Sequence, residues 1–278
     1  MSVKIVVDST VDLPPAAKEQ VRVVPLSVLF GEAEYKDGVT ITAEKFYEML
    51  ETCEQLPTTS QPTPASFEET YRELVEAGHE VVVITISSKL SGTYQSATIA
   101  ADEFPGKVFV VDSRSATIAA GVLAEYALQL ADAGMSGEQI LNELMEVRKH
   151  VHLCAIVDTL EYLKKGGRLS PTVAFVGGVL NLKPLISVEE GVINTLGKAR
   201  GSKAAYTMLT KECANYGGID HSRPVMLGYT GNCDEQLVKY IQTNEEVQPY
   251  ADRAAVIGAT IGVHAGPGAV AVAFFSKE

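Results

Sequence analysis

The tetrapeptide Val-Val-Asp-Ser occurs twice, at residues 6–9 and 110–113, and each copy closes a short apolar run. Runs of this length, rich in β-branched residues and ending in Asp-Ser, are strand signals followed by turns. Val81 to Ile86 is also continuously apolar, as a strand covered on both faces must be. Helical patterns separate these runs. Ala43 to Cys53 reads as a helix. Thr63 and Pro64 supply an N-cap and a first helical residue for the stripe Phe67, Tyr71, Leu74 and Val75, with Gly78 as the stop. A further helix is expected from near Gly92 and a longer one from about Ala116 to Ala133. Ser136 with Gln139 has the spacing of a capping box. Such alternation predicts an α/β fold, a parallel sheet between layers of helices. Ligands of open α/β sheets sit beyond the carboxyl ends of the strands. Asp8, Ser9, Ser91 and Asp112 are therefore expected along one edge.

Two departures from this regularity are visible. Val23 to Phe30 and Tyr35 to Val39 suggest a small hairpin turning at Gly31. After Leu153–Val157, a strand leading out of the first domain, the texture changes. Leu160 to Lys165 reads as a short helix, and Thr172 to Leu180 is apolar and rich in small residues. Glu189-Glu190-Gly191 joins two strand-like runs as a hairpin. Ser202 to Tyr216 and Asp234 to Thr243 read as helices, and Pro224 to Tyr229, Ala254 to Ile257 and Ala269 to Phe275 as strands. The expectation is an N-terminal α/β domain over 1–157, with its hairpin insertion around 22–40, and an α+β domain over 158–278. Pockets favour such interfaces.

Composition narrows the function. The 278 residues carry a net charge of −12, which disfavours general nucleic-acid binding. No apolar run reaches the roughly 18–20 residues of a membrane span. Cys53, Cys154, Cys213 and Cys233 are scattered, and the N-terminus passes straight into a strand pattern without a signal peptide. Both features fit a cytoplasmic protein with reduced thiols. Of the 23 basic residues, Lys164, Lys165, Arg168, Lys183, Lys198, Arg200 and Lys203 fall in one window opposed by Glu189 and Glu190. This is either a solvated surface or a docking patch for an acidic partner or a phosphate.

Two hydroxyl-rich segments carry the chemistry: Thr58-Thr59-Ser60-Gln61-Pro62-Thr63-Pro64, and Ser87 to Ser96 with Ser91-Gly92-Thr93 at its centre. Each leads into a helix N-terminus, where N–H groups and hydroxyls hold an anion. Neither has a His, Asp or Glu beside its hydroxyls, which argues against a nucleophile. Thr63 already fills the capping role, which frees Thr59 and Ser60 for a ligand. Gly92 lets a ligand approach the backbone closely. His264, in the Gly-Pro-Gly turn region 262–268, is either a plain turn residue or a donor to a carboxylate. The remaining histidines lack metal-ligand spacing, so no metal site is expected. Asp8 and Asp112 are candidates for Mg²⁺. Phosphoryl transfer through them is weakened by the lack of an Asp-x-Asp pair and of a phosphate-binding Gly-rich loop ending in Lys-Ser/Thr.

Five ordered motifs resemble the DegV family: Val7–Thr10, Thr59–Pro62, Ser87–Tyr94, Leu163–Arg168 and His264–Gly268. The resemblance runs from residue 3 to about 274. It implies an N-terminal α/β domain related to dihydroxyacetone-kinase-type folds, an α+β C-terminal domain, and a long-chain fatty acid buried between them. By the same resemblance, Thr59 and Ser91 hold the carboxylate, with Ser60, Gly92, Thr93 and His264 around it and no cofactor or catalytic residue. Some family members present the acyl carboxylate to an ATP-binding kinase subunit and carry the acyl-phosphate. There an Arg contacts the kinase, which corresponds to Arg200 in Lys198–Lys203. The head is expected to be held by hydroxyls and N–H groups without a fixed cation, and Val173 to Leu185 is expected to wall the tunnel. Transient membrane contact without a span fits the same picture. The competing reading is a free-standing hydrolase using Ser91, or a metal-dependent phosphotransferase using Asp8 and Asp112, on a small anion.

Overall fold

A computed structural model of the chain describes residues 2–169 and 181–277. In chain order the elements are β1 (Val3–Asp8), α1 (Pro15–Lys18), β2 (Arg22–Val24), β3 (Ser27–Phe30), β4 (Ala33–Lys36), α2 (Ala43–Thr52), β5 (Thr58–Ser60), α3 (Pro64–Glu76), β6 (Glu80–Thr85), α4 (Thr93–Ala101), β7 (Val108–Asp112), α5 (Thr117–Asp132), α6 (Gly137–Val147) and β8 (Val151–Ile156). They continue with α7 (Glu161–Lys165), β9 (Leu182–Glu189), β10 (Val192–Arg200), α8 (Ser202–Asn215), β11 (Met226–Tyr229), α9 (Glu235–Gln242), β12 (Ala254–Val256), α10 (Ala259–Ala265) and β13 (Val270–Phe275).

The first sheet is parallel, in the order β2-β1-β6-β7. Its apolar strands are covered on both sides. Val6, Val81 and Val83 pack under Phe67 and Tyr71 of α3 and Ala97 of α4. Val7, Val82 and Ile84 face α5 and α6. The capping box of Ser136 and Gln139 forms as the spacing predicts. The expected hairpin is present as β3–β4. Residues 22–24, expected within it, instead form β2 and pair with β1, where Val24 is buried under α3.

The second sheet runs β10-β9-β8-β13-β11-β12, antiparallel except for the β11–β12 pair. β8 lies between β9 and β13 in it. The strand expected to end the first domain is thus tied by its hydrogen bonds to the second sheet. Period-two alternation gives this sheet two buried faces. Cys154, Ile156, Leu185 and Val272 lie under α8 and α9. Leu153, Ala155 and Ala271 face α5, which also covers the first sheet, and with Ile186 and Val188 of β9 they belong to one apolar core that spans both.

Two elements were not legible beforehand. β5 extends the hairpin into a sheet ordered β4-β3-β5. α10 occupies Ala-Thr-Ile-Gly-Val-His-Ala, a poor helix sequence because of its glycine and β-branched residues. Tertiary contacts hold it. The Asp37 carboxylate accepts from the N–H groups of Ala259 (3.1 Å) and Thr260 (2.9 Å), and Asp12 accepts from that of Gly258 (2.9 Å). Ala259 and Val263 pack on Phe46 and Tyr47 of α2. The apolar stretch 170–180, including the expected tunnel-wall residues 173–180, lies outside the described residues.

Candidate functional site

At the carboxyl ends of β1 and β6 the chain closes over an apolar-walled cavity of about 90 Å³. Its walls come from both halves of the molecule. Leu26, Ile86 and Leu90 meet Leu153, Ile186 and Val188 of the second sheet. Space is left because many facing residues are small, among them Ala116, Ala155, Ala265, Ala269 and Ala271. The wall on β9 is Ile186 and Val188. Leu185, expected to line the tunnel, points to the opposite core by strand alternation.

The polar groups gather around one part of this wall. Thr59 Oγ1 lies 3.0 Å from His264 Nε2, joining β5 to the last turn of α10 across 205 residues of sequence. Ser91 also lines the cavity, its Oγ 2.9 Å from Thr93 Oγ1 and accepting from the Thr93 N–H at 3.3 Å. Thr93 is fully buried and supports Ser91 from behind rather than lining the cavity. Gly92 fits for a packing reason. A Cβ there would sit 2.2 Å from Gln61 Oε1, and the Gln61 amide donates to Ser96 at 3.1 Å. The residues Gly92 and Thr93, expected to touch a carboxylate, therefore shape the loop that presents Ser91. Ser60 is a correction: it is exposed, because alternation along β5 turns it away when Thr59 faces inward.

His264 is a helix residue rather than a turn residue, with Gly266 (φ 70°) ending the helix after it. Burial, and secondarily the nearby Arg168, hold its pKa down at about 4, so the ring is neutral at neutral pH. Nδ1 is buried without a hydrogen-bond partner. A proton there would be an unsatisfied buried donor beside a cation, so the proton resides on Nε2. The ring then donates to Thr59 Oγ1, and the Thr59 hydroxyl is left to donate into the cavity. The same orphan Nδ1 means that no acid among the described residues orients the imidazole, so His264 and Thr59 have no third member of a catalytic triad there. Ser91, the hydroxyl a hydrolase would use, bonds to Thr93 and not to a base.

Arg168 is the residue sequence reasoning misassigned. It was grouped with the surface basic cluster, yet it lines the cavity beside Thr59, Ser91 and His264. Its Nε donates to Leu90 O (3.2 Å) and its Nη1 to Gly166 O (2.6 Å), which fixes the guanidinium. A fixed guanidinium therefore lines the same cavity as Thr59, Ser91 and His264, where the sequence reading expects no fixed cation. The signal was present, since Arg168 ends the Leu163–Arg168 motif, but proximity to other lysines masked it.

The expected edge of Asp8, Ser9, Ser91 and Asp112 does assemble, though its acids are structural. Asp8 accepts from Thr10 N (2.8 Å), Thr10 Oγ1 (2.5 Å) and Ile86 N (2.8 Å), and burial raises its pKa to about 6. Asp112 accepts from Ser88 Oγ (2.6 Å) and Arg114 N (2.9 Å). With their oxygens so engaged, the Mg²⁺ reading of Asp8 and Asp112 has no ligand set. Among the described residues no group of three His, Cys, Asp or Glu is placed to hold a metal. Asp12, raised to about 7 by burial, accepts from Thr117 Oγ1 at 2.6 Å. Thr117 takes a left-handed φ of 49°, rare for a β-branched residue, at the cavity wall. Arg200 is exposed at the end of β10, away from the cavity wall. Among the described residues no helix is long and apolar enough to cross a membrane.

Comparison with known proteins places the sequence and the fold. The family model described as "Uncharacterised protein, DegV family" matches residues 2–277. A DegV domain-containing protein of Deinococcus radiodurans is 39% identical over 280 residues, covering 98% of each chain. The solved structure of a fatty-acid-binding DegV family protein from Thermus thermophilus superposes with a TM-score of 0.88 at 36% identity, covering 100% of both chains. A stearic-acid-binding protein from Eubacterium ventriosum superposes with a TM-score of 0.84 at 29% identity, covering 98% of this chain and 97% of that one. The fold is shared from end to end with these relatives, and the chain belongs to the DegV family.

Proposed function

We propose that the protein binds one long-chain fatty acid in this cavity and acts as its carrier. The observation that carries the reading is the contrast within one cavity: aliphatic and alanine walls, with Thr59, Ser91, His264 and Arg168 gathered on one part. A carboxylate is a good acceptor for the Thr59 and Ser91 hydroxyls and is neutralised by the adjacent guanidinium. Burying about fifteen methylenes gains on the order of 10 kcal/mol at about 0.8 kcal/mol per CH₂. Association costs remove several kcal/mol of that. The balance supports tight binding with slow exchange. The related proteins from Thermus thermophilus and Eubacterium ventriosum, described as binding a fatty acid and stearic acid, support the ligand class.

Within the same reading the bound carboxylate is presented to a separate ATP-dependent kinase, and the chain then carries the acyl-phosphate. Hydrogen bonds from hydroxyls leave the carboxylate oxygen nucleophilic enough for phosphorylation. Exposed Arg200, with Lys198 and Lys203 near it in sequence, is the proposed docking contact. A cytoplasmic location belongs to the same proposal. Solvent extraction of the denatured protein followed by mass spectrometry tests the core of it. One fatty acid per chain is expected. A lipid-free extract from protein that also fails to take up added palmitate would refute it. Arg200→Ala should retain its lipid and lose acyl-phosphate formation with a kinase, and unaltered turnover would remove the docking role.

A further inference from the structure

Among the described residues each polar side chain on the cavity wall makes at least one hydrogen bond, through Nε2 alone in the case of His264, with the exception of Thr260. Thr10 Oγ1 donates to Asp8 and Thr117 Oγ1 to Asp12. Thr59 is joined to His264, Ser91 to Thr93, and Arg168 to two backbone carbonyls. Thr260 lines the same cavity, is only 3% exposed, and its buried Oγ1 has no hydrogen-bond partner among the described residues. A threonine in a helix ordinarily bonds back to the carbonyl one turn earlier. Thr260 stands in the first turn of α10, where its N–H is taken by Asp37, and makes no such bond. An unsatisfied buried hydroxyl is destabilising, and each one in a native fold calls for a partner.

Thr260 also has a defined address. It precedes His264 by four residues, so both lie on one face of α10 and about 6 Å apart along its axis. A hydroxyl at that position meets an acyl chain within its first several carbons, not at its methyl end. Valine would fill the same volume and leave the wall wholly apolar.

Resting on the fatty-acid reading above, we propose that Thr260 selects acyl chains bearing an oxygen substituent, a hydroxyl near the carboxyl end, over plain saturated chains. The substituent takes the hydrogen bond that Thr260 otherwise lacks. Plain chains leave the hydroxyl unsatisfied and bind more weakly than an apolar wall would allow.

The test is a cycle of two proteins and two ligands. Delipidated wild-type protein and Thr260→Val are titrated with palmitate and with 3-hydroxypalmitate, by displacement of a fluorescent fatty acid. Wild type should favour the hydroxylated chain by about tenfold relative to the variant's preference, the worth of one neutral hydrogen bond. The variant should bind palmitate at least as tightly as wild type, and its unliganded melting temperature should rise. If palmitate binds both proteins and the ligand preference is the same in each, Thr260 has no selective role and its partner is an ordered water. If neither chain displaces the probe from wild type, the fatty-acid reading itself fails, which is a separate outcome. A variant that loses affinity for both ligands equally also overturns the proposal.

Discussion

Gly262→Ala separates the packing of α10 from its helix propensity, because the two push in opposite directions. In an isolated helix the change would stabilise by about 1 kcal/mol. In this protein a Cβ on Gly262 would lie 2.5 Å from Phe46 Cε1 and 2.8 Å from the Tyr47 hydroxyl oxygen. Ordinary carbon contacts begin near 3.5 Å, so about 1 Å of room is missing. Neither ring can give way freely. Both are fully buried, their centroids are 5.0 Å apart, and Tyr47 donates to Ile257 O at 2.9 Å. Overpacking of this kind costs about 1–3 kcal/mol, and loss of the tyrosine bond about 1 kcal/mol more. The net expectation is a destabilisation of about 1–3 kcal/mol, or roughly 2–12 °C in melting temperature at a few degrees per kcal/mol. If α10 shifts by the missing ångström, His264 moves out of the 3.0 Å contact with Thr59. Fatty-acid affinity should then fall about tenfold, as one hydrogen bond implies. Thermal unfolding of the delipidated variant and fatty-acid displacement read the two effects. A raised melting temperature with unchanged affinity would refute the argument, since it would mean that α10 is not seated against α2 as closely as these distances require.

Further expectations follow from the same site. Thr59→Val with Ser91→Ala should empty the cavity of co-purifying lipid, measured by mass spectrometry of the extract, and destabilise by about 1–3 kcal/mol because the buried His264 Nε2–H loses its acceptor; full occupancy would exclude these hydroxyls as the head-group ligands. Arg168→Gln should weaken binding of an ionised fatty acid by tenfold or more but leave a fatty alcohol of equal length nearly unaffected, because only the carboxylate uses the charge. Equal losses for acid and alcohol would show a structural role instead. His264 has a folded pKa of about 4, below its ordinary 6.5, so the unfolded chain binds the extra proton between those values. Its contribution, up to about 3 kcal/mol, is present above pH 6.5 and lost as pH falls toward 4. Asp8 and Asp12, raised to about 6 and about 7, act with the opposite sign: their contribution is full below about pH 4 and is lost as pH rises through those values. Comparing wild type with His264→Gln by denaturant unfolding at pH 4.5 and 7 isolates the histidine. The variant should lose less stability on acidification, and parallel pH curves would contradict the assignment. Asp37→Asn removes one carboxylate oxygen from the start of α10 and should destabilise by about 1–2 kcal/mol, with weaker lipid binding in the displacement assay; a variant as stable as wild type would show that the cap is dispensable.

The parallel sheet and most of its helices were legible in the residues themselves. Continuous apolar runs such as Val81–Ile86 are intelligible only as strands buried on both faces. Caps such as Thr63–Pro64 and Ser136–Gln139 act within a few residues of chain, so local sequence suffices to place them. Thr59, Ser91 and His264 were also identifiable through the motifs that carry them. Their neighbours were not sorted by sequence. Ser60 and Thr59 have nearly the same chemistry, and only the pairing of β5 with β3 decides which one faces the cavity. Arg168 and Arg200 belong to one basic stretch, yet backbone carbonyls fix the first at the cavity while the second stays in solvent. α10 has little intrinsic tendency to be helical. It exists because Asp37, Asp12, Phe46 and Tyr47, all distant in the chain, supply its cap and its seat. What the amino-acid order determined alone was the set of interactions that close over a few residues. Wherever the energy came from contacts hundreds of residues apart, as in the 205-residue span from Thr59 to His264, only the tertiary structure could decide which candidate became part of the site.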